Sequence, residues 1–200
     1  MRKIFLLISV IFLITSCSVY QTIVNLSRLQ FKLGKVDNFQ LGGIDISGKS
    51  KLEDFNFQDL LKLTKAFSSG SLPASFILNV EAKNPNDGTG GYKKTDASIK
   101  SFPWRLLIND KETVSGNIGQ PVLVPGTGEI TQIPLTINVD LIALFKDKGY
   151  EELINLALTL GGKKGSSSKL TFYASPTVST SLGDIKYPGE LKIVDKNFTN

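Results

Sequence analysis

The sequence predicts a mainly β protein, a β-sandwich of about eight strands with two peripheral helical segments. Apolar and polar residues alternate along several short runs, turn residues separate these runs, and two segments of the predicted domain have helical spacing instead. Alternation places the apolar residues on one face of each strand. Strands with one apolar face pack as two sheets around a shared core, which is the architecture of a sandwich.

The alternating runs begin at Leu29 and recur to the end of the chain, at 29–46, 76–83, 133–139, 170–174 and 191–193. Between them lie clusters of Asn, Asp, Gly and Pro, the residues that favour turns, at 84–88, 109–110, 125–128 and 187–189. Proline cannot donate a hydrogen bond to a neighbouring strand, so we expect Pro134 to lie on an edge strand or to point its nitrogen outward.

The two segments with helical spacing each begin with a capping residue. Asn56 precedes an amphipathic stretch at 57–67, and Asp140 precedes a longer one that is interrupted at Gly149 and ends at 161–162. Apolar residues surround much of the longer helix at 140–160, so we expect other elements to cover it. The two helices either enclose a lipid-sized cavity against the sheet or pack directly on it.

Residues 1–17 have the form of an export signal. Arg2 and Lys3 precede an apolar stretch at 4–14, and small residues then lead to Cys17, the only cysteine in the chain. A membrane-spanning helix needs about 20 apolar residues, roughly twice this length. The pattern resembles the bacterial lipoprotein signal, in which the cysteine thiol takes a diacylglyceryl group and becomes the first residue of the mature chain. A plain signal peptide with a cysteine near its cleavage site is the alternative.

This interpretation divides the chain into a lipoprotein signal peptide at 1–16, a lipidated tether at 17–28 and a single β-sandwich domain at 29–200. By analogy with enteric lipoproteins, Ser18 rather than aspartate after the lipidated Cys17 implies attachment to the outer membrane, facing the periplasm. We expect a lipid-anchored protein of the bacterial cell envelope. Its stability must come from packing, because a lone cysteine excludes an internal disulfide.

An ordered series of motifs crosses the predicted domain. The strand at 76–83 ends in Asn84, Pro85 and Asn86, and is followed by an aromatic strand at 102–108, a polar turn, a strand with Gly116, a proline-flanked link at 121–125 and the alternating strand at 133–139. This order resembles the type 2 late embryogenesis abundant (LEA) proteins, whose shared unit is the water-stress and hypersensitive-response (WHy) domain. The resemblance covers about residues 30–195, and the helical segment at 140–160 departs from the minimal domain.

The resemblance implies an immunoglobulin- or fibronectin III-like sandwich with a stress-protective or binding role and no known catalysis. It also implies that Asn84, Pro85, Asn86 and Gly116 are structural motif residues. The expected function is that of a membrane-anchored, non-enzymatic lipoprotein of the LEA type 2/WHy class. The alternative is an envelope factor that binds a lipid or a protein in outer-membrane assembly or transport.

The side chains available for chemistry support a non-enzymatic role. The chain has no histidine, so it lacks the commonest general base near neutral pH and all histidine-based triads and metal sites. The acidic pairs at 53–54 and 151–152 adjoin helix starts, where the helix dipole favours negative charge. Glycine-rich stretches at 88–91 and 161–168 lead into strands, not into the helix N-terminus that holds a phosphate. We therefore expect no catalytic residues, no cofactor and no metal.

The distribution of charge and of aromatic residues limits the classes of partner that we expect. The net charge of +5 is interspersed and not concentrated on one segment, which argues against a nucleic-acid partner. Phe102 and Trp104 share one face of a strand and form either part of the core or a platform for a ligand. The expected partners are membrane lipid, through acylated Cys17, and an envelope protein or lipid.

Overall fold

The computed structural model of the chain describes residues 20–108, 110–161, 170–180 and 182–193. One four-stranded antiparallel sheet is built from β1 (Gln30–Leu41), β2 (Ile44–Asp45), β3 (Pro73–Lys83) and β8 (Ile130–Asp140), in the order β2-β1-β3-β8. The central strand β3 pairs with β8 along its whole length, from Pro73↔Asp140 to Lys83↔Ile130. Pro134 lies on β8, at the edge of this sheet, as the sequence predicted.

The other layer contains two four-stranded antiparallel sheets. Their strands are β4 (Ala97–Ser101), β5 (Trp104–Ile108), β6 (Lys111–Gly116), β7 (Val122–Val124), β9 (Leu170–Ala174), β10 (Thr177–Thr180), β11 (Gly183–Lys186) and β12 (Leu191–Ile193). The orders are β11-β10-β4-β7 and β12-β9-β5-β6. The side chains that these strands bury join those of the first sheet in one core. The expected fold class, a mainly β sandwich with peripheral helical segments, is confirmed.

Proline accounts for the division of this second layer. Pro103 separates β4 from β5 and Pro176 separates β9 from β10, and the two breaks are adjacent because Ser175 N donates a hydrogen bond to Pro103 O at 2.9 Å. Proline lacks the N–H that a strand ladder needs, so both strands stop and restart. These two breaks account for part of the difference between the twelve strands of the described residues and the roughly eight that the periodicity predicted.

Four α-helices and one 3₁₀ turn (Leu52–Asp54) complete the described structure. The α-helices are α1 (20–27), α2 (Phe57–Ser68), α3 (Leu141–Leu144) and α4 (Tyr150–Leu160). Asn56 caps α2 by accepting a hydrogen bond from Asp59 N at 2.8 Å, as predicted. The predicted helix at 140–160 is divided into α3 and α4, and Gly149 precedes the second of them. Within the described ranges, no helix is long and apolar enough to cross a membrane.

Asp140 joins the start of α3 to the segment that precedes the central strand β3. Its carboxylate accepts hydrogen bonds from Ile142 N at 3.0 Å and Ala143 N at 3.2 Å, and from the Ser71 hydroxyl at 2.6 Å. Burial opposes ionisation of this carboxyl, but the hydrogen bonds from the Ser71 hydroxyl and from backbone N–H groups outweigh it and hold the pKa of Asp140 below its usual range.

The helices pack directly on their neighbours. Leu63 of α2 and Leu153 and Ile154 of α4 have no exposed surface, and the Phe67 ring meets the Tyr150 ring edge to face at 5.5 Å. These contacts favour direct packing over a lipid-sized cavity beneath the two helices. Most apolar side chains of α4 are buried, as expected for a helix with apolar residues around most of its circumference.

Phe102 and Trp104 belong to the core, the first of the two interpretations of this pair. Phe102 is completely buried, and the Trp104 indole stacks on Phe172 at 5.8 Å between ring centroids. Gly116 is the cross-strand partner of Trp104, and a Cβ added there would lie only 2.7 Å from the indole Cζ2. The absence of a side chain at 116 therefore leaves the space that the indole occupies.

We predict that Gly116→Ala destabilises the fold by about 1–3 kcal/mol, the usual cost of adding a methyl group to a filled site. Urea unfolding followed by the fluorescence of the single tryptophan measures this change. Gly119→Ala is the matched control, because a Cβ at Gly119 meets no atom within 4 Å. Equal stability of the two variants would contradict the steric role of Gly116.

Candidate functional site

A buried asparagine side chain lies at the point where β3 leaves the first sheet. Asn84 is 0% exposed, and its Nδ2 donates to Thr95 O at 2.8 Å and to Val124 O at 3.0 Å. Its Oδ1 accepts from Asn86 N at 3.2 Å and from Asn86 Nδ2 at 2.8 Å. Both amide hydrogens and the carbonyl oxygen are therefore bonded, as a buried polar group requires.

Asn86 extends these bonds to the first helix. Its Nδ2 donates to Asn25 O at 2.9 Å, and its Oδ1 accepts from Arg28 Nη1 at 3.0 Å. Arg28 Nη2 also donates to Pro85 O at 3.4 Å, and Asn25 Nδ2 donates to Thr95 Oγ1 at 3.2 Å. We call the set Asn25, Arg28, Asn84, Pro85 and Asn86 the asparagine hub.

The hub changes the description of the predicted tether. Residues 20–27, which were expected to lie within the tether at 17–28, form α1, and Leu26 is only 7% exposed. Two hub residues, Asn25 and Arg28, hold this helix to the turn after β3. Of the described residues, none from 20 onward therefore forms a free linker.

The turn between β7 and β8 closes over the hub. A Cβ added at Gly126 would lie 2.5 Å from Asn86 O and 2.7 Å from Thr95 O, so only glycine fits at this position without movement of the backbone. Gly128 N donates to Asn84 O at 3.0 Å, and Gly126 N donates to Asp96 Oδ1 at 2.8 Å. The hub thus connects α1, the end of β3, the start of β4 and the β7–β8 turn.

Charged groups organise the loop that follows the hub. The Arg28 guanidinium lies 3.8 Å from the centre of the Tyr92 ring, a cation–π contact. The hydroxyl and the backbone N–H of Thr89 donate to Asp87 Oδ1 at 2.7 and 2.9 Å, and these bonds lower the pKa of Asp87 below its usual range. The carboxylate of Asp87 is therefore satisfied within its own turn.

A cleft of about 410 Å³ opens beside the hub, between α1 and the adjoining ends of β4 and β10. Its apolar lining comes from Leu26, Ala97 and Val178, and its polar lining includes Gln21, Lys93, Asp96 and Ser179. A lining with an amide, an ammonium, a carboxylate and a hydroxyl around a small apolar patch can bind a small polar molecule or an extended chain. The sequence analysis missed this cleft because its walls come from four segments that are distant in sequence.

The residues predicted as motif residues divide into two places. Asn84, Pro85 and Asn86 meet in the hub, whereas Gly116 lies against Trp104 on the second layer. Cys17 lies outside the described residues, so its lipidation stays a prediction. Within the described ranges, no group of histidine, cysteine, aspartate and glutamate side chains could hold a metal ion.

The acidic pairs near helix starts make local contacts. Asp54 Oδ2 accepts from Ser50 N at 2.7 Å and from Lys51 N at 3.2 Å, and Glu152 Oε2 accepts from Gly149 N at 3.0 Å. These bonds satisfy backbone groups before a helical turn, as capping carboxylates do. They agree with the structural role that the sequence analysis gave to both pairs.

No protein-family model matches this sequence, and no curated protein matches it. Solved structures similar to it include the solution structure of a putative late embryogenesis abundant (LEA) protein, At2g46140.1, with a TM-score of 0.40 and 16% identity over 90% of this chain and 80% of that one. The crystal structure of a protein from Archaeoglobus fulgidus has a TM-score of 0.35 and 11% identity, over 83% of this chain and 99% of that one. The solution structure of AT1g01470 from Arabidopsis thaliana has a TM-score of 0.31 and 13% identity, over 62% and 73%.

The structural neighbours thus include one protein whose structure is described as that of a putative LEA protein, at 16% identity. With TM-scores of 0.40 and below, these similarities do not transfer a function to this chain. The contacts of the chain itself must support any functional proposal.

We predict that Asn84→Ala destabilises the domain by about 1–3 kcal/mol, because it removes the buried amide that donates to the carbonyl oxygens of Thr95 and Val124. Urea unfolding measures the change. Asn79→Ala on the same strand is the control, since the Asn79 side chain makes its hydrogen bonds at the exposed surface. A smaller loss of stability for Asn84→Ala than for Asn79→Ala would refute the central role of the hub.

Proposed function

We propose that the chain is a membrane-anchored, non-enzymatic lipoprotein of the LEA type 2/WHy class, which protects or binds other molecules at the bacterial cell envelope. The observation that supports it most directly is the asparagine hub. There the Asn84-Pro85-Asn86 turn, the motif by which the sequence resembles that class, joins the sheets to the first helix through buried hydrogen bonds. The motif is therefore built into the architecture of this domain.

The position of α1 determines how an anchor would act. With the helix docked through Asn25 and Arg28, two residues of the sequence lie between an acylated Cys17 and the described helix, which begins at residue 20. An extended chain from residue 17 to residue 20 spans about 10 Å. The domain would then be held directly at the bilayer surface, not at the end of a mobile stalk.

A domain held in this way needs no chemistry to be protective. When water is removed, neighbouring membranes and proteins approach one another, and a folded domain at the surface would keep them apart. A diacylated cysteine would anchor the domain firmly, at about 0.8 kcal/mol per buried CH₂ group. With Ser18 after the cysteine, we propose the periplasmic face of the outer membrane as the location.

A deletion strain of the bacterium that produces the protein, complemented with wild-type or variant copies of the gene, tests this proposal. We expect deletion of the gene to lower survival after desiccation or osmotic shock, and a wild-type copy to restore it. A Cys17→Ser copy should fail to restore survival and should lose the label in cells grown with radioactive palmitate, because the thiol that takes the lipid is absent.

A Ser18→Ala copy, which keeps the thiol and lacks an aspartate after it, is the matched control and should behave as wild type. Unchanged survival of the deletion strain under both stresses would contradict the protective role. Palmitate labelling of Cys17→Ser would contradict the anchor at this residue.

The cleft beside the hub favours a second candidate, an envelope factor that binds a lipid or a protein in outer-membrane assembly or transport. Its volume of about 410 Å³ and its mixed lining suit a small ligand or a peptide segment. If this candidate is correct, native mass spectrometry of the mature protein shows a bound molecule, and Ala97→Trp, which fills the cleft, removes it. A control substitution at the exposed Leu61, Leu61→Trp, should leave the bound molecule in place. Absence of any bound molecule and of any crosslinked partner in cells would contradict this candidate.

A further inference from the structure

A row of four polar side chains crosses the outer face of the first sheet near its far end. The strand register places Gln40 of β1 between Asp45 of β2 and Ser75 of β3, and it places Ser75 opposite Asn138 of β8. Successive side chains of a strand point to opposite faces, so the row faces away from the core that the neighbouring residues enter. Those neighbours are buried: Leu41, Ile44, Ala74 and Ile137. We call Asp45, Gln40, Ser75 and Asn138 the polar row.

The neutral members of the polar row have hydrogen-bonding groups that the fold leaves unused. Within the part of the chain that the structure describes, the side chains of Gln40, Ser75 and Asn138 make no hydrogen bond. Each amide can donate and accept, and so can the hydroxyl. Gln40 and Asn138 are exposed and Ser75 is partly exposed, so these groups remain accessible to a molecule outside the chain.

Other polar residues on the same face are paired across the strands. Lys32 forms an ion pair with Glu81 at 2.8 Å, and Asn79 Nδ2 donates a hydrogen bond to Asp37 Oδ2 at 2.7 Å. Cross-strand pairs of this kind stabilise a sheet. The neutral members of the polar row lack such pairs although they lie directly opposite one another. Contacts within the sheet therefore do not account for the composition of the row.

The polar row lies in a depression of the surface. Its three neutral members line a cavity of about 490 Å³ together with Gly43 and Pro73, and this volume is within the range of small-molecule sites. Pro73 is exposed and supplies an apolar ring. Asp140 also lines the cavity, but its carboxylate already accepts hydrogen bonds from the Ser71 hydroxyl and from backbone N–H groups. The groups left for a ligand are consequently amides and a hydroxyl.

Charge further restricts the ligand. Of the described residues that line the cavity, none is basic, so nothing there would attract an anion. Asp45 at the end of the row accepts a hydrogen bond from Ser47 N at 2.8 Å, and hydrogen bonds from Ser47 lower the pKa of its carboxyl. Asp45 therefore stays an acceptor at neutral pH. The described residues also contain no group of carboxylates that could hold a metal ion.

We propose that the polar row binds a neutral oligosaccharide through its hydroxyl groups. Sugar hydroxyls donate and accept, as the amides and the hydroxyl of the row require, and Asp45 would accept from a further hydroxyl. The apolar ring of Pro73 would meet the C–H groups of a sugar ring. Four adjacent strands span about 14 Å, so a short oligosaccharide contacts more of the row than a single sugar unit does.

This site is independent of the proposed anchor and of the cleft beside the hub. Ser75 lies near the start of β3, whereas Asn84 directly follows the end of this strand. The distance along β3 from Ser75 to Lys83 is about 26 Å. The two sites can therefore be tested separately, and failure of one leaves the other intact.

Titration of the isotope-labelled protein with neutral trisaccharides, followed by its backbone amide NMR signals, tests the proposal. The probes are maltotriose, cellotriose and chitotriose. We expect at least one of them, at millimolar concentration, to shift the signals of Gln40, Ser75 and Asn138 and to leave those of Asn84 and Asn86 unchanged. Absence of a shift with all three sugars, or equal shifts at the hub, would overturn the proposal.

A pair of variants on β8 tests the contribution of the row itself. Asn138→Ala should weaken binding of that sugar by about three- to tenfold, the usual effect of losing one neutral hydrogen bond. Gln132→Ala is the matched control and should bind as the wild type does, because Gln132 is an exposed amide on the same face of the same strand but in the row of Glu81. Equal affinities of the two variants would contradict the assignment.

Two further titrations exclude an ionic site at Asp45. Binding of the sugar should persist in high salt, since it involves no ion pair. Calcium chloride alone should leave the signals of the polar row unchanged. Loss of sugar binding in high salt, or shifts of the same signals by calcium without sugar, would each overturn the proposal.

Discussion

The arrangement of the sandwich at the end near α1 depends on the hydrogen bonds of the Asn84 side-chain amide. The amide donates to carbonyls on two segments of the second layer, Thr95 O and Val124 O, and accepts from Asn86. Aspartate has the same shape but no N–H group, so it could not bond these two carbonyls. Because the amide is fully buried, each unmade bond would be expensive, and the neighbouring loops are tied to a single conformation.

The two ends of β3 are held by side chains of different character. At the end near α1 the neutral amide of Asn84 makes the connections, and at the far end the carboxylate of Asp140 bonds the Ser71 hydroxyl and Leu72 N. At the far end, hydrogen bonds stabilise the charged form of the Asp140 carboxyl and lower its pKa. The central strand is thus fixed at each end by polar contacts that complement the apolar core between them.

The β-sandwich and the helix caps were predictable from the sequence, because alternation and capping are local patterns. Asn56 and Asp140 precede their helices as expected. The strand breaks at Pro103 and Pro176 could also have been found, since proline interrupts a strand wherever it occurs. The docking of α1 could not be predicted, because it depends on side-chain hydrogen bonds between residues about sixty positions apart, which leave no periodic signal.

The separation in sequence between the hydrogen-bonded residues of the hub also determines when α1 can dock during synthesis of the chain. Arg28 and Asn86 are 58 residues apart, so the hydrogen bond between them cannot form until β3 and its turn have been synthesised. Contacts between distant residues form late, because the intervening chain must first be ordered. The start of the mature chain would therefore remain free while the rest emerges, which leaves the predicted processing site open to enzymes before the domain closes beside it.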